Sequence, residues 1–132
     1  MRVFLDANVL FSASNAGSNF AGLVAWLISA GTAVTSDLAS EEARRNLALK
    51  RPGWLPAFEA LLPRLELVPS TIFPLPVKLA DKDLPLLCAA IRGRCDLFVT
   101  GDRRDFGSLM DRTIEGVRVV SPLRLAKLLA EG

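Results

Sequence analysis

The sequence contains no histidine. That absence excludes Ser-His-Asp hydrolysis, the usual zinc sites and any nuclease working through a histidine acid–base pair. Hydrolysis by this chain would have to rest on carboxylates, and carboxylates recruit hard cations such as Mg²⁺ or Mn²⁺. Cysteine is scarce: Cys88 and Cys95 stand at a spacing that fits no zinc or redox motif. They read as reduced, mostly buried thiols of a cytoplasmic protein. Charge bias is also small. With 16 basic and 14 acidic residues the net charge is +2, which makes no case for nucleic acid by itself. A pocket gathering several of those acids would leave a net basic surround, as suits an enzyme that handles a polyanion. No long membrane span is present either. Residues 7–36 carry no charge, but the continuously apolar part, 20–30, is shorter than the roughly 20 residues a span requires. Asp6 stands where a signal peptide would lead into its apolar region. A soluble protein without membrane attachment is expected.

What the chain does have is apolar residues, 51% of 132, enough for a sheet buried on both faces. The length fits one domain, 1–132. Short strands are expected at Val3–Leu5, Thr32–Thr35, Leu65–Val68, Leu97–Thr100 and Val117–Val120. Helices are expected from Ser18 or Asn19 to Ala30, Leu38 to Lys50, Trp54 to Leu62, Asp83 to Arg92 and Pro122 to Ala130, with one turn at Phe106–Met110. Residues 69–80, with three prolines, read as a loop. Phe20, Leu23, Val24, Leu27 and Ile28 form the first long helix's core stripe, with Trp26 on its far side as a candidate contact surface. This alternation predicts an α/β fold: three α/β/α layers around a mostly parallel sheet of about five strands.

Asp6 and Asp102 each follow an apolar strand, so both emerge at the carboxyl edge of such a sheet, where ligands bind. Either alone would serve as a turn residue or helix cap; together they favour a site. Asp96 precedes its strand, faces the opposite edge and reads as structural. On the second long helix Leu38, Ala39, Ala43, Leu47 and Leu49 make an apolar arc that includes Glu42 and leaves Glu41 outside. A carboxylate turned toward packing needs a partner such as a cation; the other reading has Glu42 at the border, reaching solvent. Asp81 and Asp83 flank the next helix start, where Pro85 occupies the first turn, making Asp83 or Lys82 the expected cap. Arg103 and Arg104 beside Asp102 could hold phosphates or form a solvated turn.

Four segments carry a family resemblance. Leu5-Asp6-Ala7-Asn8-Val9-Leu10, Glu42-Ala43-Arg44-Arg45-Asn46-Leu47, Asp83-Leu84-Pro85-Leu86-Leu87-Cys88-Ala89-Ala90 and Val99-Thr100-Gly101-Asp102-Arg103-Arg104-Asp105-Phe106 resemble, in order and spacing, the acidic motifs of the PIN-domain family. The nearest subgroup is that of VapC-like toxins from toxin–antitoxin pairs, and the resemblance spans about residues 2–125. It implies a PIN-like fold and metal-dependent cleavage of single-stranded RNA. It makes Asp6, Glu42, Asp83 and Asp102 the catalytic metal-binding acids and Asp105 a fifth, with Asn8 and Thr100 orienting carboxylates or water. Asp81 could replace Asp83 if the helix starts earlier. A cognate antitoxin and a homodimer are implied partners. Two rivals remain. A non-enzymatic PIN-like binding module would keep the fold without needing metal. A haloacid-dehalogenase-type phosphatase would need a second acid where Asn8 stands.

Overall fold

Val3-Phe4-Leu5 offers no polar face, so its burial requires cover on both sides. In the computed structural model, which describes residues 1–132, all three are fully buried in β1 (Arg2–Leu5). There follow α1 (Ala7–Ala13), α2 (Asn19–Ala30), β2 (Thr32–Ser36), α3 (Asp37–Lys50), α4 (Leu55–Leu61) and β3 (Glu66–Val68). The second half supplies α5 (Leu84–Arg92), β4 (Leu97–Val99), α6 (Arg103–Phe106), β5 (Thr113–Ile114), β6 (Val117–Val120) and α7 (Pro122–Glu131). Short 3₁₀ turns bracket α4 and follow α6.

The strands form one sheet in the order β3-β2-β1-β4-β6-β5, parallel except for the β5–β6 pair. Alternation along each strand divides the core. Val3 and Leu5 of β1 join Leu97 and Val99 of β4 on one face, with Leu27, Leu47, Phe58 and Leu125 from the helices. Phe4 and Phe98 point the other way, into α5 and the α6 region, with Leu87, Ala90 and Phe106. Phe4 and Phe98 stack at 5.2 Å between ring centres. The expected three-layer α/β/α arrangement is therefore present. The strand order also fixes where a site can form. The chain leaves β1 toward β2 and β3, then returns to β4 on the other side, so the order reverses between β1 and β4.

Several sequence expectations are corrected. The sheet has six strands, because Glu115 and Gly116, at φ +48° and +87°, turn a short antiparallel hairpin onto its edge. Residues 7–13 form a helix that went unforeseen. The turn expected at Phe106–Met110 is present as the 3₁₀ turn Gly107–Leu109, but the short helix α6 at Arg103–Phe106 before it was not expected. Phe20 is not core but 37% exposed, and Leu38 and Leu49 also leave the apolar arc for solvent, at 42% and 79%. α3 is short of a continuous apolar stripe and buries only Ala39, Ser40, Ala43 and Leu47. Cys88 and Cys95 are free and buried, and burial pushes the Cys95 thiol up to about 11. No helix is long and apolar enough to cross a membrane.

Candidate metal centre

β1 ends at Leu5 and β4 at Val99, and these two residues are register partners in adjacent parallel strands. Asp6 and Thr100 follow them at the same sheet edge. The Asp6 amide donates to the Val99 carbonyl at 3.0 Å, and the Thr100 amide to that of Val120 at 3.1 Å, so the turn is tied to its neighbours. Asp6 sits in extended backbone as the N-cap of α1. Its Oδ1 accepts from the Ala7 amide at 2.7 Å. Its Oδ2 accepts from Asn8 Nδ2 at 2.9 Å and from the Thr100 hydroxyl at 2.7 Å. The Thr100 hydroxyl in turn accepts from the Asp102 amide at 3.0 Å and from Asn8 Nδ2 at 3.2 Å. Asn8 Oδ1 closes the net by accepting from the Gly101 amide at 2.8 Å. Thr100 and Asn8 thus clamp the two post-strand turns together.

Asp102 caps α6: its Oδ1 accepts from the Arg104 and Asp105 amides, each at 3.0 Å. The cap reading and the site reading are both satisfied, because one oxygen turns the chain and the other stays free. Asp83 behaves differently from a cap. Its backbone is already helical at φ −97°, ψ −25°, and its side chain makes no cap bond. Pro85 removes one N–H that a cap would bind, and the Leu86 amide goes to the Asp83 carbonyl instead. The carboxylate is left buried, with Oδ2 the one buried side-chain polar atom in the chain lacking a hydrogen-bond partner. Native proteins rarely leave such an atom without cause. Asp81, the alternative, is exposed.

Oxygens of Asp83, Asp102 and Asp105 lie within 4.8 Å of one another. Glu42 and Asp102 line one cleft of about 470 Å³ with Asn8, Ser12, Phe20 and Gly101, and Asp6 lies close enough for its charge to act on Asp83 and to feel that of Glu42. Of the five acids named from the sequence, three are therefore brought into direct proximity, and Asp6 and Glu42 flank them. Glu42 is half-buried and Glu41 exposed, as the helical faces require. Asp96 lies at the opposite sheet edge, accepting from the Arg2 amide at 2.8 Å. Arg103 and Arg104 are exposed and form no ion pair. Sequence reasoning missed Lys82, whose ammonium stands 3.0 Å from Asp105. The alternating Asp81-Lys82-Asp83 was the available signal.

Electrostatics record the crowding. Burial pushes the Asp6 carboxyl up to about 6, with the Glu42 charge adding to it and the Thr100 and Ala7 bonds opposing it. Burial likewise pushes Asp83 up to about 7, reinforced by Asp105 and by Asp6 and opposed by Lys82. Asp105, held by Lys82, lies below its usual value. Carboxylates set this way favour a shared proton or a cation. An all-oxygen donor set with an orphaned buried carboxylate oxygen fits a hard divalent ion, and Asp83, Asp102 and Asp105 are the side chains placed to hold it.

No protein-family model matches the sequence, and no curated protein matches it. Among solved structures, the fold is similar to a chain in the crystal structure of VapBC2 from Rickettsia felis bound to a DNA fragment from their promoter. The TM-score is 0.67 at 16% identity, over 92% of this chain and 98% of that one. The chain has a PIN-like fold. At that identity the likeness concerns the fold, and the activity has to be argued from the carboxylates.

Proposed function

We propose that this chain is a divalent-metal-dependent endoribonuclease acting on single-stranded RNA, the toxin half of a toxin–antitoxin pair. The observation that carries the reading is the buried, unpartnered Asp83 oxygen inside a trio of carboxylates at the sheet's switch point. Asp83, Asp102 and Asp105 would hold Mg²⁺ or Mn²⁺, with Asp6 and Glu42 flanking. When bound, such an ion activates water for in-line attack and stabilises charge on the leaving 3′ oxygen. The chain's residues supply the positioning. Thr100 and Asn8 fix the Asp6 carboxylate in one orientation. The α6 amides fix Asp102. Lys82 neutralises part of the acidic cluster while it waits for a cation.

The similarity to a VapBC2 complex supports a cognate antitoxin as partner. Trp26 on α2, 42% exposed, gives an apolar contact at which an antitoxin or a second copy could dock. The test is cleavage of an end-labelled single-stranded RNA. With Mn²⁺ or Mg²⁺ the wild type should cut it; EDTA should stop cutting, and Asp102→Asn should slow it roughly 100-fold or more. Undiminished cleavage in chelator would remove the metal mechanism, and no cleavage together with no Mn²⁺ binding by calorimetry would favour a binding module.

A further inference from the structure

Two clefts open beside the carboxylates, and they share a wall. The one holding Asp102 and Phe20 is lined by Asn8, Ser12 and Glu42. The second, about 240 Å³, is lined by the same three residues together with Phe11, Asn46 and Lys50. The two make one groove that begins at Asp102 and follows the seam between α1 and α3. Its walls repeat at four-residue steps, Asn8 and Ser12 on α1, Glu42, Asn46 and Lys50 on α3, so each set occupies one helix face. Charge changes sign along it. Glu42 is an acid, Asn46 is neutral, and Lys50 is a cation about 12 Å beyond Glu42 at 1.5 Å per helical residue. Lys50 is exposed and enters none of the chain's ion pairs. Phe20, at the Asp102 end, is 37% exposed and lines this cleft as well as an apolar pocket with Leu23, Pro122, Leu123 and Ala126.

We infer that this groove is the substrate track: a single RNA strand lies along the α1–α3 seam with its scissile phosphate at Asp102, a flanking phosphate on Lys50 and a base stacked on Phe20. The inference rests on the ribonuclease reading and extends it to how substrate is held. A single strand is bound by cations that follow its backbone and by aromatic faces that accept its bases. The groove supplies one at each end, with the acids at the Phe20 end. Between them the Asn46 amide and the Ser12 hydroxyl offer hydrogen bonds without adding repulsion to phosphate, while the Asn8 amide is already engaged by Asp6, Thr100 and Gly101.

Steady-state cleavage of a short oligoribonucleotide at several salt concentrations tests this. Lys50→Gln should lower kcat/KM about five- to tenfold, with the loss carried by KM, and flatten its slope against log salt by about 0.7. Lys50→Arg should restore both. Phe20→Leu, which keeps apolar bulk but loses the ring face, should raise KM by about tenfold. Arg94→Gln removes a charge from the opposite sheet edge and should match wild type. If Lys50→Gln keeps the wild-type salt slope, or Arg94→Gln flattens it equally, the track is wrong while the ribonuclease reading stands. If wild type cuts no RNA with Mn²⁺, the ribonuclease reading itself falls, and the track with it.

Discussion

Thr100 shows how much one hydroxyl can organise. It donates to Asp6 and accepts from the Asp102 amide, so a single oxygen joins the two turns that carry those acids. Thr100→Val keeps the shape and removes the oxygen. The buried Asp6 carboxylate would lose a donor and the Asp102 amide an acceptor, costing about 1–3 kcal/mol in stability. Activity should fall roughly 10–100-fold through disordered carboxylates. Thr100→Ser should recover most of both, as chemical denaturation and cleavage assays would show; equal loss in the two variants would place the effect in packing. At this scale the sequence was informative where chemistry followed a strand. Asp6 and Asp102 were legible because apolar strands end just before them. The state of Asp83 was not, because a helix-start Asp normally caps. Only the structure shows its backbone already helical and its carboxylate turned inward. Phe20 misled for a related reason: it falls on the helical stripe, but α2 has only just begun there, with Ser18 as its cap, and Phe20 stays at the surface, lining the cleft and the neighbouring α2–α7 pocket.

Helix α3 is the element that presents Glu42, and its start is fixed by Ser36, whose hydroxyl accepts from the Ala39 amide at 3.2 Å. Ser36→Ala should cost about 1 kcal/mol by removing that cap, measurable as a shift of the denaturation midpoint with an unchanged slope. A neutral shift would mean that packing of Ala39, Ala43 and Leu47 alone sets the helix start. On the same helix Glu42→Gln should reduce RNA cleavage far more than Glu41→Gln, since only Glu42 lines the cleft. Equal losses would contradict the assignment of faces. Helices and strands longer than a turn could be read from periodicity. α1 could not, since Val9 and Phe11 are poor helix formers and its start depends on Asp6 acting as cap. The β5–β6 hairpin is only two residues deep, too short for alternation to register.

The whole molecule holds several acids at its functional edge against their preference for water, and its stability should depend on pH accordingly. Asp6 and Asp83 release their protons at about 6 and about 7 in the folded chain, but near 3.8 once unfolded. Between those values the unfolded state binds fewer protons, so metal-free stability should fall as pH rises from about 4 to about 7. Glu66 and Asp37, whose carboxyls lie below their usual values, contribute the opposite way, and their share is lost only at more acid pH. Melts of metal-free protein at about pH 5 and about pH 7.5 would show it, with the higher Tm at pH 5; a higher Tm at pH 7.5 would contradict the burial of uncompensated charge. The layered fold was legible at this scale because β and α patterns alternate along the chain. The meeting of Asp83 with Asp102 and Asp105 was not, because it depends on how α5 and α6 pack on one face of the sheet.

The measurement that bears most directly on the carboxylate cluster as a cation site is a set of melts near pH 7.5 of wild type, Asp83→Asn and Asp96→Asn, each with EDTA and with Mn²⁺. Without metal, removing the buried Asp83 charge relieves desolvation and repulsion, so Asp83→Asn should melt above wild type. With Mn²⁺ the order should reverse, because wild type gains binding energy that the variant largely lacks. Asp96, at the far edge of the sheet, should respond to Mn²⁺ as wild type does. If Asp83→Asn gains as much from Mn²⁺ as Asp96→Asn, the cluster is not where the cation binds, and the account of this site is wrong.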